Sequence, residues 1–167
     1  MSDFDEEVAA AVLEPHFDAV RDSFIDFGLD KLKRTRLIIE PGVYDGDRHY
    51  ARCRDDGLRV ELAPEAAQLP WMQLVAIISH EFGHAADFAY PSQWVTPLKA
   101  GKAEWIGDRQ DKVANRHRRL WNERTDDQVE RAADSIAEAV TGMKIQYCGP
   151  CMLQCFSGGR ARPAGLR

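Results

Sequence analysis

No stretch of the chain approaches the roughly 18 consecutive apolar residues that a membrane-spanning helix requires, so no bilayer span is expected. The opening residues MSDFDEEVAAAVLEPHFDAV are acidic where a secretory leader would be basic. That argues against export and makes the cytoplasm, or the interior of a host cell, the default location. Internal repeats are lacking, and no linker-like stretch sets off a second domain. Apolar residues are not scarce: they form 44% of 167 residues, enough for one hydrophobic core and too many for wholesale disorder. The expected organisation is one domain over residues 1–167, with a helical segment at 3–27 and a cysteine-containing extension at 143–167. A monomer is the default.

Cysteines are few, and three of the four crowd into CGPCMLQC. In an exported chain they would suggest disulfides; in a reducing compartment they suggest free thiols or a metal. Cys53, Cys148, Cys151 and Cys155 could together hold a second, structural zinc, with C-x2-C as one knuckle. Reduced structural thiols, a disulfide and a redox pair are the alternatives. The redox pair fits worst, because the motif follows a helix instead of opening one.

Basic residues are outnumbered 27 to 22, for a net charge of −5. Residues 1–30 carry nine acids and one arginine, whereas residues 99–124 carry eight Lys or Arg and four acids. The overall acidity opposes nonspecific nucleic-acid binding, and the basic segment reads as a solvated helical surface.

Phe4, Val8, Leu13, Phe17, Val20, Phe24 and Phe27 recur at helical spacing, with Gly28 as a stop and Pro15 as a break or restart. RLIIE (36–40), RHYARC (48–53) and LRVEL (58–62) are β-prone. Turns at Pro41-Gly42, Asp45-Gly46 and Asp56-Gly57 separate them, which predicts a small curled sheet, antiparallel in part. A helix is expected from about Trp71 to Phe88. Polar helices are expected over 101–120, a last helix from about Asp126 to Val140, and a strand or hairpin from Ile145 to Phe156. The fold class is α+β, with a three- to four-stranded mixed sheet packed on helices.

The chemistry concentrates in ISHEFGHAADF, residues 78–88. Residues i and i+4 of a helix sit one above the other, so His80 and His84 present two imidazoles to one point. Imidazole suits zinc, and zinc acidifies a water that a neighbouring carboxylate, Glu81, can deprotonate. Gly83 removes bulk beside the pair and helps another segment approach. A catalytic zinc takes three protein ligands and keeps one position open. Asp87 lies on the same helix as the histidines, which makes a shared metal awkward; a hydrogen bond to a ligand or a base, or a surface role, suits it better. The better third ligand is Glu130 in VERAADSIAEAV, 46 residues after His84. Ala132, Ala133 and Ala137 keep that helix slim enough to pack closely, and Asp134 can accept a hydrogen bond from a ligand histidine.

HEFGH and ERAAD together resemble the Glu-zincin (gluzincin) metallopeptidases, in particular the compact single-domain minigluzincins. Their pattern is HExxH on one helix and ExxAD or ExxSD on a later one, and the likeness spans roughly residues 35–140. The resemblance implies a zincin-like α+β fold with an active-site helix and a glutamate-bearing helix. It also implies zinc on His80, His84 and Glu130, Glu81 as base, Asp134 orienting His80, and hydrolysis of a peptide or protein substrate. The metzincin pattern needs glycine at 87 and a ligand at 90, where Asp87 and Tyr90 stand; SprT-type proteases normally use histidine as third ligand. The alternative function is a catalytically silent zinc-bearing regulatory or protein-binding module.

An oxyanion donor is also required. His117, Tyr147, Arg116 and Tyr90 are candidates; the plainer option is a polar place in the basic run for His117 and a core or hairpin role for Tyr147. An extended substrate is expected along LRVEL, through an exposed strand edge.

Overall fold

The computed structural model describes residues 6–44, 50–97 and 101–145. Helix α1 (Glu6–Asp26) runs through Pro15 without the expected break. A proline inside a helix removes one backbone hydrogen bond and crowds the preceding turn, costing about 3 kcal/mol. Against that, Ala9, Leu13, Phe17, Val20 and Phe24 form one fully buried stripe. Two of them meet Phe82, with ring centroids 5.1 Å (Phe17) and 5.4 Å (Phe24) away. Burial of large apolar side chains contributes about 1.5–3 kcal/mol each, so the stripe outweighs the proline. It is narrower than the spacing suggested: Val8 and Phe27 are exposed.

Three strands follow, β1 (Arg36–Ile39), β2 (Ala51–Arg54) and β3 (Arg59–Leu62), in the order β1-β3-β2. β1 runs parallel to β3 and β2 antiparallel to it, so the sheet is mixed as expected. LRVEL is nevertheless the central strand and has no free edge to offer a substrate. β2 is an edge strand instead, because the turn at Asp55–Gly57 folds β3 back between its neighbours.

Helix α2 (Trp71–Ala89) carries HEFGH through the centre of the molecule. Ala51, Val60 and Leu62 belong to the same buried cluster as Leu74, Ile78 and Phe82. The hairpin turn packs directly on α2: a Cβ added to Gly57 would lie 2.8 Å from Cα of Ala85.

The helix expected over 101–120 is reduced to α3 (Lys112–Leu120). Before it, β4 (Trp94–Val95) pairs antiparallel with β5 (Glu104–Trp105). The two tryptophans account for this, since Trp94 is fully buried and its ring meets Trp105 at 4.9 Å. Asp111 then starts α3 by accepting from the amides of Val113 and Ala114, each at 2.9 Å. Helix α4 (Asp126–Thr141) opens with a capping box between Thr125 and Gln128 and ends at Gly142 in the left-handed region, φ 71°. Apart from Ile145, the strand or hairpin expected over 145–156 lies outside the described residues. So do Tyr147, Cys148, Cys151 and Cys155.

Candidate metal centre

α2 and α4 meet along their smallest residues. An added Cβ on Gly83 would lie 2.2 Å from the carbonyl oxygen of Ala133, so the helices touch backbone to backbone, and Ala132, Ala133 and Ala137 are fully buried there. This approach brings Glu130 to the two histidines. Nε2 of His80 lies 3.0 Å from Oε2 of Glu130 and 3.1 Å from Nε2 of His84. Nε2 of His84 lies 3.4 Å from Oε1 of Glu130. Among the described residues these three side chains are the only His, Cys, Asp or Glu group whose ligand atoms converge on one point, all within 4.8 Å of one another.

The spacing suits zinc. Ligands about 2.0–2.1 Å from a tetrahedral centre stand about 3.3–3.4 Å apart, close to the separations here. Nδ1–H of His80 donates to Oδ1 of Asp134 at 2.8 Å, which leaves Nε2 facing the centre. The expected partnership of Asp134 with His80 is therefore present in the geometry. The imidazoles are set edge-on at 89°, so both ring nitrogens aim at the shared point instead of stacking.

His80 and Glu81 are almost completely buried, while the side chain of Glu130 is 41% exposed, which leaves the centre open on that side. In the metal-free protein, burial opposes charge on His80, but hydrogen bonds to Asp134 and Glu130 outweigh it and raise its pKa to about 10. Burial likewise opposes charge on Glu130, yet the two histidines hold its carboxyl far below the usual carboxylate range. Glu81 is raised by burial, an effect only partly offset by His80 and His84. The backbone amide of Cys53 on β2, turned toward its carboxylate, works weakly against that rise.

Asp87 is neither a surface residue nor a partner of a ligand. It is buried, accepts from Nε1 of Trp121 at 3.0 Å, and pairs with Nη2 of Arg124 at 2.6 Å. Arg124 also lies over the Trp121 ring, 4.7 Å from its centroid. A single buried acid thus clamps the end of α2 to the segment that leads into α4. Trp121 and Arg124 carried no sequence signal for this; only a buried acid at 87 requiring a cation could have hinted at it.

His117 is half-buried. Burial, then Arg124, lowers its pKa. It lines a cleft of about 410 Å³ together with Pro97, Trp121, Arg124, Asp127 and Arg131, and no described hydrogen bond joins it to the three ligand side chains. Tyr90 is also diverted: its hydroxyl accepts from the amide of Lys31 at 2.9 Å. Arg116 is exposed on α3. Cys53 carries a free thiol whose pKa is pushed strongly up by burial and then by the charge of Glu81, which disfavours a ligating thiolate. Among the described residues a second, structural ion is not indicated.

Comparison with known proteins finds no matching family model, no matching curated protein and no matching solved structure. The assignment therefore stands on chemistry. His80-Glu81-x-x-His84 with the distal Glu130 matches a gluzincin-type zinc-peptidase active site, set on a small domain whose mixed sheet and two helices are consistent with a minigluzincin-like α+β fold. The geometry supports one catalytic zinc and is consistent with peptide-bond hydrolysis. No helix among the described residues is long and apolar enough to cross a membrane.

Proposed function

We propose that the chain is a zinc metalloendopeptidase in which Glu81 is the general base. The observation that carries this reading is the convergence of three ligand atoms, with the buried carboxylate of Glu81 next to the first ligand in sequence. His80, His84 and Glu130 would hold the ion, and Asp134 would keep the His80 ring in its ligating orientation. Bound zinc supplies a Lewis acid that polarises the scissile carbonyl and acidifies water. Glu81 takes a proton from the attacking water and hands it to the leaving amine. Burial raises its proton affinity. The peptide lies extended along the free edge of β2, where Cys53 already meets Glu81. His117 and Tyr147 remain proposals for the oxyanion donor.

The whole chain would act as one domain and as a monomer on peptide or protein substrates. A cytoplasmic location agrees with the free thiol of Cys53. Nucleic acid is not invoked: in the basic segment Arg109 is paired with Glu104 and Asp111, and Arg118 donates to backbone carbonyls. A silent binding module on the same scaffold would have no use for Glu81, and no feature among the described residues favours it.

The test is hydrolysis of a mixed peptide library by zinc-loaded protein beside its Glu81→Gln variant. The variant should keep its zinc and lose a factor of about 10²–10⁴ in rate. Equal cleavage by both would remove Glu81 from the mechanism; an inert zinc-loaded wild type would refute the peptidase.

A further inference from the structure

We propose that this site selects extended peptides carrying acidic side chains at alternate positions, read by Arg52 and Arg54; the inference rests on the peptidase reading above. The amide of Ala63 donates to the carbonyl of Tyr50 at 2.8 Å, and the register continues from Ala51 opposite Leu62. Hydrogen-bonded and non-hydrogen-bonded pairs alternate along an antiparallel ladder. Arg52 and Arg54 therefore turn their backbone groups toward β3, while Ala51 and Cys53 turn theirs to the free edge.

Side chains alternate as well. Ala51 faces the core and Cys53 packs against it, whereas Arg52 and Arg54 emerge on the other face with Arg59 and Glu61 of β3 and Arg36 of β1. Arg36, Arg59 and Arg54 stand directly opposite one another across the three strands. Like charges in that arrangement repel. Carboxylates nearby are largely spent. Glu61, only 5% exposed in its side chain, binds Arg52 and Arg59, the latter at 2.9 Å, and Asp55 lies 3.5 Å from Arg59. Among the described residues Arg36 has no ion-pair partner, and Arg54, half exposed, has none nearer than Glu61 at 4.0 Å.

A peptide added antiparallel to β2 would bond to Ala51 and Cys53. Arg52 and Arg54 would then occupy the non-hydrogen-bonded positions, where side chains on neighbouring strands come closest. Every second side chain of the bound segment emerges beside a guanidinium, whose fork accepts a carboxylate through two hydrogen bonds. The favoured substrate class is thus a peptide with Asp or Glu repeated at a period of two.

The experiment measures kcat and KM of the zinc-loaded full chain on peptides with Glu, Gln or Lys at alternate positions, in both phases. In one phase Glu should lower KM relative to Gln by up to about fivefold, the scale of one cross-strand charge pair. Arg54→Glu should reverse the preference toward Lys, and Arg54→Gln should erase it. The long contact of Arg54 with Glu61 leaves little structure to lose, and zinc content measured in parallel reports the fold. Cleavage without a phase-dependent acidic preference, or a preference unchanged in both variants, overturns this inference and leaves the peptidase standing. Failure to cleave any peptide overturns both.

Discussion

The α-carbon of Gly83 rests against the carbonyl of Ala133 so closely that a Cβ there would fall 2.2 Å from the oxygen. Since Gly83 sits between Glu81 and His84, and Ala133 between Glu130 and Asp134, this one contact sets how near the two halves of the metal centre stand. Gly83→Ala is therefore expected to act against its local propensity. Alanine would favour the helix by about 1 kcal/mol. The obstructing atom is backbone, however, and cannot rotate away. Overpacking of this kind costs about 1–3 kcal/mol and should part the helices. Thermal unfolding should show a lower midpoint, and metal analysis should show lost zinc. A variant with an unchanged midpoint and full zinc would show that the contact does not set the site.

Oδ1 of Asp134 accepts a hydrogen bond from Nδ1 of His80 at 2.8 Å. Asp134→Ala should leave the three ligand side chains in place but release the His80 ring, weakening zinc about 10- to 100-fold. Competition against a chromogenic chelator reads this directly. Asp134→Asn keeps an oxygen acceptor and should recover much of the loss. Equal affinity in the alanine variant and the wild type would reduce Asp134 to a packing role.

The metal centre was legible because its information is local. His80 and His84 need only helical spacing to converge, and ERAAD needs only a slim helix to bring Glu130 alongside. Gly83, Ala132 and Ala133 announce that slimness in the sequence itself. Long-range relations were not legible. LRVEL looks like any short strand, and whether it lies at an edge or in the middle depends on how a hairpin folds back on a parallel neighbour. The arginine row on the sheet is hidden for the same reason: Arg36, Arg54 and Arg59 come from three strands and become neighbours only through register.

Asp87 shows a different limit. An acid three residues past a ligand histidine suggests a hydrogen bond to a ligand or a base, or a surface role, and helical spacing alone does not name the partner. Its actual partners, Trp121 and Arg124, lie 34 and 37 residues away in a segment of no regular pattern. Pro15 erred in the opposite direction. Local propensity called for a break, and tertiary burial of Phe17 and Phe24 overrode it.

Zinc uptake should depend on pH with a definite sign. In the metal-free protein the pKa of His80 is raised to about 10, so near neutrality a proton occupies the place of a cation. Glu130, held low by the histidines, contributes no such proton. Each zinc bound must therefore displace at least one proton, and affinity should rise about tenfold per pH unit between roughly pH 6 and 9. Stability runs the other way without metal. The folded pKa of His80 lies above its unfolded value of about 6.5, so its contribution is complete below that value and is lost as pH rises toward 10. Melting midpoints recorded with and without buffered zinc should consequently diverge with rising pH: the metal-free midpoint falls while the increment from zinc grows. An increment that stays constant across this range would mean that His80 carries no extra proton before zinc binds.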